Sequence, residues 1–169
     1  MDETKSLPEP DDVLYRIQRG LAGYVSYLAA CEMNTSFSEY VLYEPILRIL
    51  NARGYIVECE AICPGIEQPT TGDKKKIDFV ANGHGIQLAI EVKWVQKIKP
   101  DFSNDEEKLI AYKLYEGNNR AFLCIFGRKS HISIISPPSE NFKEFQQKIY
   151  ADLIRTKYGC RIFELYLNQ

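Results

Sequence analysis

Two neighbouring segments with apolar residues at every second position constrain the fold of this chain most strongly. The segments IDFVA, from residue 77, and IQLAIEVKW, from residue 86, both have the two-residue period of a β-strand. Between them stands NGHG, whose residues tolerate the positive φ angles of a tight connection. The sequence therefore predicts an antiparallel hairpin formed by these two strands.

Three charged residues of this hairpin lie in its polar positions. Asp78 belongs to the first strand, whereas Glu91 and Lys93 share one face of the second strand, opposite its apolar face. Pairing of the strands would bring Asp78 close to Glu91 at one end of the sheet. Two acids and a lysine in this arrangement are typical of a site that binds a divalent metal ion and acts on a phosphodiester.

The composition indicates one globular domain. The chain has 169 residues, of which 45% are hydrophobic and 26% charged, enough for a core that folds alone. No apolar run approaches the roughly 20 residues that span a bilayer, and the acidic N-terminus differs from a secretion signal. Five cysteines, an odd number, suit reduced thiols. We expect a disordered tail over residues 1–10, a single domain over residues 11–169, and a cytoplasmic protein without a membrane span.

The net charge limits what can be inferred about nucleic-acid binding. It is −2, whereas proteins that bind nucleic acids are ordinarily basic. Carboxylates that bind a metal ion make a site acidic by themselves, and nearby cations can still give it a positive rim. The cations that flank the proposed site in the sequence are Lys74, Lys75, Lys76, Lys93, Lys97, Lys99, Arg120, Arg128 and Lys129. The charge balance weakens a nucleic-acid interpretation without excluding it.

Periodicity and turn residues outside the hairpin predict further helices and strands. Pro45 falls within one predicted helix, where it either kinks the helix or marks the start of a shorter one. In chain order we expect a helix over residues 11–28, a helix from residue 36 or 38 to 53, a strand over 55–62, the hairpin, a helix from 101–105 to 117, a strand over 120–127, a strand over 131–136, a helix over 139–157 and a strand over 161–167.

This order of elements, with acids at these positions, resembles the core of the PD-(D/E)XK nuclease superfamily, which has the restriction-endonuclease-like fold. IDFV and AIEVKW resemble its two strand motifs, and the resemblance covers about residues 36–127. Ile77 stands where the family motif has proline, at a position that varies among members. The resemblance implies an α/β fold with a mixed central sheet flanked by helices, extended here by an N-terminal helix and by a C-terminal helix and strand.

The resemblance also implies roles for the residues of the two strands. Asp78 and Glu91 would bind Mg²⁺ or Mn²⁺, together with the backbone carbonyl of Val92. Lys93 would orient or help to deprotonate the attacking water and stabilise the charge of the transition state. An acid from the preceding helix would complete the catalytic set.

Two acids compete for that helix position. Glu44 is preferred because it precedes Gly54 by about the distance that many members show, and Glu39 stays open because it shares the apolar stripe of Ile46. Lys108, in the helix after the hairpin, resembles a lysine that supports the site or contacts phosphate in several nuclease families.

The function implied is that of a magnesium-dependent endodeoxyribonuclease, which hydrolyses phosphodiester bonds of DNA in restriction, defence or repair. A homodimer surface or a separate subunit would supply target recognition. The alternative is a catalytically inactive module of the same fold that binds nucleic acid or protein. Retention of Asp78, Glu91 and Lys93 together favours the enzyme, because a binding module has no chemical need for a lysine beside two acids.

Overall fold

Six strands of the described chain form one mixed sheet with helices on both of its faces. The computed structural model describes residues 7–33, 38–115 and 117–167, apart from the side chain of Gln147. The elements are α1 (Asp11–Ala30), a 3₁₀-helix (Glu39–Leu42), α2 (Tyr43–Ala52), β1 (Ile56–Ile62), β2 (Lys76–Gly83), β3 (Ile86–Val95), α3 (Ser103–Tyr115), β4 (Asn119–Arg128), α4 (Lys129–Ile132), β5 (Phe142–Ala151) and β6 (Tyr158–Leu165). The strand order in the sheet is β1-β2-β3-β4-β6-β5.

The predicted hairpin is confirmed. β2 and β3 are antiparallel, and the turn residues His84 and Gly85 have φ angles of 52° and 75°. Positive φ at both central positions is the geometry of a type I′ turn, whose twist matches that of the flanking strands. β1 pairs antiparallel with β2, whereas β4 lies parallel to β3 after the α3 crossover. The predicted order of helix, three strands, helix and strand is therefore confirmed.

Side chains of the sheet alternate between two core layers. In β3, Leu88 and Ile90 are buried in the layer that includes residues of α1 and α2. Ala89 lies in the opposite layer, which includes residues of α3 and α4. The two-residue period of the strand therefore puts Glu91 and Lys93 on the α3 side of the sheet. β4, in the middle of the sheet, is buried on both faces, as its continuous apolar sequence predicts.

The two predicted N-terminal helices are present, and the second is shorter than predicted. The first predicted helix is confirmed as α1, and the second is divided into a 3₁₀-helix and α2. Pro45 lies in the first turn of α2, where a missing N–H costs nothing, so it marks the start of a shorter helix. The alternative start at Ser36 lies outside the described residues. None of the described helices combines the length and apolarity needed to cross a membrane.

The predicted disordered tail is described only in part. Residues 1–6 lie outside the described residues. Glu9 accepts hydrogen bonds from Arg53 Nε at 2.8 Å and from the Tyr55 hydroxyl at 3.0 Å. The end of the tail is thus held against the segment that joins α2 to β1.

The helix predicted over residues 139–157 is wrong, because most of this segment forms the edge strand β5. Phe142, Phe145 and Ile149 are spaced three and four residues apart, which imitates the period of a helix. In the structure, the register with β6 shifts between Phe145 and Ile149, where Gln146 has a φ angle of 51°. Phe145 and Ile149, which are an even number of residues apart, pack in one layer, whereas Phe142 packs in the opposite layer, as side chains of a strand do. The C-terminal addition is therefore a pair of strands rather than a helix and a strand.

The strand predicted over residues 131–136 is also wrong. The segment begins in the short helix α4 and continues as a turn. Ile132 and Ile135 are buried, while Ile134 is 58% exposed. Buried side chains three residues apart fit a helical turn, whereas those of a strand lie two apart.

Candidate active site

Asp78 lies where β2 and β3 stop pairing. Their backbone pairing runs from the turn as far as Phe79 of β2. Beyond that pair, the Val92 N–H donates to Asp78 Oδ2 at 2.7 Å. Tyr43, the first residue of α2, donates its hydroxyl to Asp78 Oδ1 at 2.5 Å. These two hydrogen bonds hold the Asp78 carboxylate beside the residue that follows Glu91.

Glu91 is buried, with only 2% of its surface exposed. Its Oε2 accepts a hydrogen bond from Lys108 Nζ at 2.6 Å. Its Oε1 is buried and has no hydrogen-bond partner among the described residues. A buried acceptor without a partner is costly, and such atoms frequently mark places where an ion or ligand binds.

A chain of ion pairs runs from Glu91 on β3 to Lys108 and Asp105 on α3 and then to Lys93 on β3. Lys108 also donates to the backbone carbonyl of Lys76 at 2.9 Å, and its ammonium lies 3.8 Å from Asp105 Oδ1. The other oxygen of Asp105 lies 3.3 Å from Lys93 Nζ, an ion pair without hydrogen-bond geometry. The Lys93 ammonium therefore points toward α3, on the same side of the sheet as Glu91.

Burial and mutual repulsion disfavour two ionised carboxylates at this place. Burial raises the pKa of the Glu91 carboxyl well above its usual range, and the Asp78 carboxylate raises it further, while Lys108 opposes the rise. Burial also raises the pKa of the Asp78 carboxyl, against the opposing hydrogen bonds from Tyr43 and Val92. An added positive charge relieves both effects. The pair of acids therefore attracts a proton or a cation.

Glu39 approaches this network, and Glu44 does not. Glu39 Oε1 accepts the backbone N–H of Trp94 at 3.2 Å, which joins the 3₁₀-helix to β3 directly after Lys93. Burial raises the pKa of the Glu39 carboxyl. Glu44 is exposed on the first turn of α2 and pairs with Arg48 one turn later. The preference for Glu44 is thus at odds with the geometry, because the 3₁₀-helix folds Glu39 over β3 while α2 points Glu44 into solvent.

Two clefts open on either side of the network. One, of about 460 Å³, is lined by Asp78 and Lys108 together with Tyr40 and the lysine run 74–76. The other, of about 510 Å³, has Lys93 in its lining. Solvent therefore reaches the network from both sides, and each approach carries lysines.

Sequence reasoning does not identify two residues of the network, Tyr43 and Asp105. Tyr43 belongs to an apolar helical stretch, and its ring does pack on Phe79 at a centroid distance of 4.7 Å. Asp105 is a common residue type for the first turn of a helix, where an acid stabilises the helix dipole. Their contacts with Asp78 and Lys93 become visible only once the strands and α3 are assembled.

The donor set fits a small divalent ion. Among the described residues, no three His, Cys, Asp or Glu side chains are arranged to hold a metal ion. Mg²⁺, however, keeps several waters and binds through one or two carboxylates plus substrate phosphate. Asp78 and Glu91 Oε1 offer such oxygens, and the Val92 carbonyl lies on the same side of its strand as the N–H that reaches Asp78. Lys108, on the other oxygen of Glu91, would compete with the ion.

Comparisons with protein-family models, with curated proteins and with solved structures gave no match to this chain. The likeness to the PD-(D/E)XK superfamily therefore stays an interpretation of motif and element order. Any functional assignment rests on the fold and on the network around Asp78 and Glu91.

Proposed function

We propose that this chain is a metal-dependent nuclease of the restriction-endonuclease-like fold that hydrolyses phosphodiester bonds of DNA. The observation that carries the proposal is the hydrogen bond from the Val92 N–H to Asp78, which holds this carboxylate beside the residue that separates Glu91 from Lys93. Glu91 adds a buried oxygen without a hydrogen-bond partner among the described residues. This combination suits the binding of a cation and a phosphodiester.

The arrangement of elements supports the same proposal. α2, the antiparallel strands β1 to β3, the α3 crossover and the parallel strand β4 follow the order of the superfamily core. Asp78 and Glu91 lie on the second and third of these strands, and Glu39 lies on the segment before them. Because one fold hosts many functions, the side chains carry more weight than the topology.

Phosphodiester hydrolysis needs neutralisation of the phosphoryl charge, a positioned water and help for the leaving oxygen. Asp78, Glu91 and the Val92 carbonyl would hold Mg²⁺ or Mn²⁺, which would supply the charge neutralisation. Tyr43 keeps the Asp78 carboxylate in a fixed orientation. Lys93, with a third of its side chain exposed, orients the attacking water and donates to a phosphoryl oxygen.

Two further side chains assist in this proposal. Glu39, fixed by the Trp94 N–H, accepts a hydrogen bond from a water in the site and so orients it. Lys108 neutralises Glu91 in the absence of substrate and lines the cleft in which a phosphate would lie.

Lysines of both clefts are available to contact a DNA backbone, although the lining of the first cleft also includes four carboxylates, those of Glu60, Asp73, Asp78 and Glu107. The run 74–76 lines one cleft, and Lys93 and Lys97 line the other. Two lysines of the run form exposed pairs with surface carboxylates. Such pairs contribute at most about 1 kcal/mol, so the phosphate backbone can take over these lysines despite the net charge of −2.

Cleavage of plasmid DNA in Mg²⁺ or Mn²⁺ tests the proposal. The wild type is expected to nick or linearise supercoiled plasmid, and Asp78→Asn, Glu91→Gln and Lys93→Met are each expected to lose about 100-fold or more in rate. Glu44→Gln is the matched control, because this acid is exposed and away from the network. A wild type that is inactive, or no faster than the three site variants, contradicts the proposal.

A catalytically inactive module that binds nucleic acid or protein is the second candidate. One observation favours it, namely that the Lys108 ammonium already neutralises Glu91 at 2.6 Å. Such a module would bind DNA equally well in EDTA and in Mn²⁺, and Glu91→Gln would leave its affinity unchanged. Target recognition by a second copy or by a separate subunit stays a prediction. Light scattering of the purified protein tests whether a second copy is bound.

A further inference from the structure

Tyr40 is an exposed aromatic residue beside the candidate site. It lies in the 3₁₀-helix and has 69% of its surface exposed. Its side chain lines the same cleft as Asp78, Lys74 and Lys108. An accessible ring face thus stands next to the acids and lysines of the proposed reaction site.

The backbone that carries this ring is held by contacts of residues before and after it in the chain. Glu39 accepts the Trp94 N–H at 3.2 Å, and Tyr43 donates to Asp78 at 2.5 Å. The rings of Tyr40 and Tyr43 lie 5.2 Å apart between centroids, at an angle of 51°. A ring that is carried by a fixed backbone, beside another ring, loses less conformational entropy than one on a loose loop when a flat ligand stacks on it.

We propose that Tyr40 is a stacking surface for an unpaired nucleotide next to the phosphate that is cleaved. This inference rests on the proposed function and narrows its substrate to single-stranded DNA or to duplex DNA with an unpaired end or gap. Aromatic side chains bind single strands by stacking on base faces, which a closed duplex keeps covered. The Tyr40 ring offers such a face within the cleft that also contains Asp78.

The size of the cleft fits this ligand, and its lysines offer contacts to a phosphate beside the carboxylates of Glu60, Asp73 and Glu107. Its volume of about 460 Å³ lies in the range of sites for small ligands, about 300–1,000 Å³, which suits one nucleotide rather than the width of a duplex. Lys74 is exposed, and its Nζ donates to the Pro69 carbonyl at 3.1 Å. Lys76 pairs with Glu60 at 3.3 Å in an exposed ion pair, which is weak enough to yield to a phosphate.

Fluorescence anisotropy with a labelled oligothymidylate and with a duplex of the same length tests the inference, in EDTA and at constant salt. Tyr40→Ala is expected to weaken binding of the single strand by about 5- to 100-fold. Tyr40→Phe keeps the ring and loses only the long hydrogen bond to Glu60, so it is expected to bind within about twofold of the wild type. Tyr27→Ala is the matched control, because this tyrosine on α1 is 55% exposed and does not line the cleft.

The outcomes separate this inference from the nuclease proposal. Equal single-strand affinity of the wild type and Tyr40→Ala overturns the inference, as does an equal loss on the duplex or no binding of the single strand by the wild type. Cleavage that needs Glu91 but not Tyr40 leaves the nuclease proposal intact and overturns the inference alone. Single-strand binding that depends on Tyr40, in a protein that never cleaves DNA in Mn²⁺, supports the nucleotide site and overturns the nuclease proposal.

Discussion

The Asp78 carboxylate accepts the backbone N–H of Val92 at 2.7 Å, beyond the last backbone pair between β2 and β3. A side chain thus satisfies a main-chain donor at the place where the strands diverge. The carboxylate of Asp78 is thereby held next to Glu91, the most buried acid of the network. The candidate site is a direct consequence of how this hairpin ends.

The two candidate helix acids are expected to differ in their effect on DNA cleavage. Glu39→Gln should lower the rate by about 10- to 100-fold, because the amide still accepts the Trp94 N–H but has no negative charge to orient a water or ion. Glu44→Gln should change the rate by no more than about twofold, since its carboxylate is exposed and pairs with Arg48. Single-turnover cleavage in Mn²⁺ measures both. The reverse ranking would return the helix position to Glu44.

The Tyr43 hydroxyl is expected to stabilise the folded protein through Asp78. Tyr43→Phe keeps the packing on Phe79 but removes the donor from a part-buried carboxylate, so the free energy of unfolding should fall by about 1–3 kcal/mol. Tyr40→Phe is the control, because its hydroxyl is exposed and its bond to Glu60 is 3.4 Å long. Its unfolding free energy should stay within about 0.5 kcal/mol of the wild type. Urea denaturation without metal ions measures both, and equal values for the two variants would argue against the Asp78 contact.

Lys108 is expected to compete with a divalent ion for Glu91. Lys108→Met removes the ammonium from its position 2.6 Å from Glu91 Oε2, so Mn²⁺ should bind about tenfold more tightly or better. Lys75→Met removes an exposed pair with Glu107 and should leave the Mn²⁺ affinity unchanged. Weaker Mn²⁺ binding by Lys108→Met would mean that the lysine instead holds Glu91 in the conformation that binds the ion.

Local pattern was sufficient to predict the hairpin and the strands around it. Three local signals are distinct in the sequence, namely the alternation in β3, the turn residues NGHG and the continuous apolar run of β4. The approximate position of Asp78 relative to Glu91 and Lys93 follows from the pairing of two adjacent strands, although Asp78 itself lies beyond the last backbone pair. The sequence therefore indicates this part of the candidate site, and in the structure Asp78 bonds to the Val92 N–H, between Glu91 and Lys93.

Features that depend on contacts between distant segments were not predictable in the same way. The apolar residues of β5 are spaced three and four apart because they are divided between the two core layers, and this division is recognisable only once β5 is paired with β6. Glu39 rather than Glu44 lies near the network because a 3₁₀-helix precedes α2 and ends where α2 starts. Asp105 and Tyr43 have residue types that suit a helix terminus and a core equally well, so only their partners reveal a role in the site.

The pairing of β5 with β6 gives a stability test of the C-terminal correction. A Cβ at Gly159 would lie 2.5 Å from the Ile149 carbonyl oxygen, so Gly159→Ala should lower the free energy of unfolding by about 1–3 kcal/mol. A Cβ at Gly23, within α1, would meet nothing within 4 Å. Gly23→Ala should therefore raise the free energy of unfolding by about 0.5–1 kcal/mol. Chemical denaturation compares the two variants. If Gly159→Ala unfolds with the same free energy as the wild type, β5 does not pair with β6 in this register.

Isothermal titration of Mn²⁺ into the purified protein tests the central claim most directly, because it needs no knowledge of the DNA target. The wild type and Glu44→Gln are expected to bind the ion with the same affinity. Asp78→Asn and Glu91→Gln are expected to bind it at least about tenfold more weakly, because each removes a carboxylate oxygen from the proposed ligands. No binding by the wild type, or equal binding by Glu91→Gln, would contradict the assignment of these two acids as a metal site.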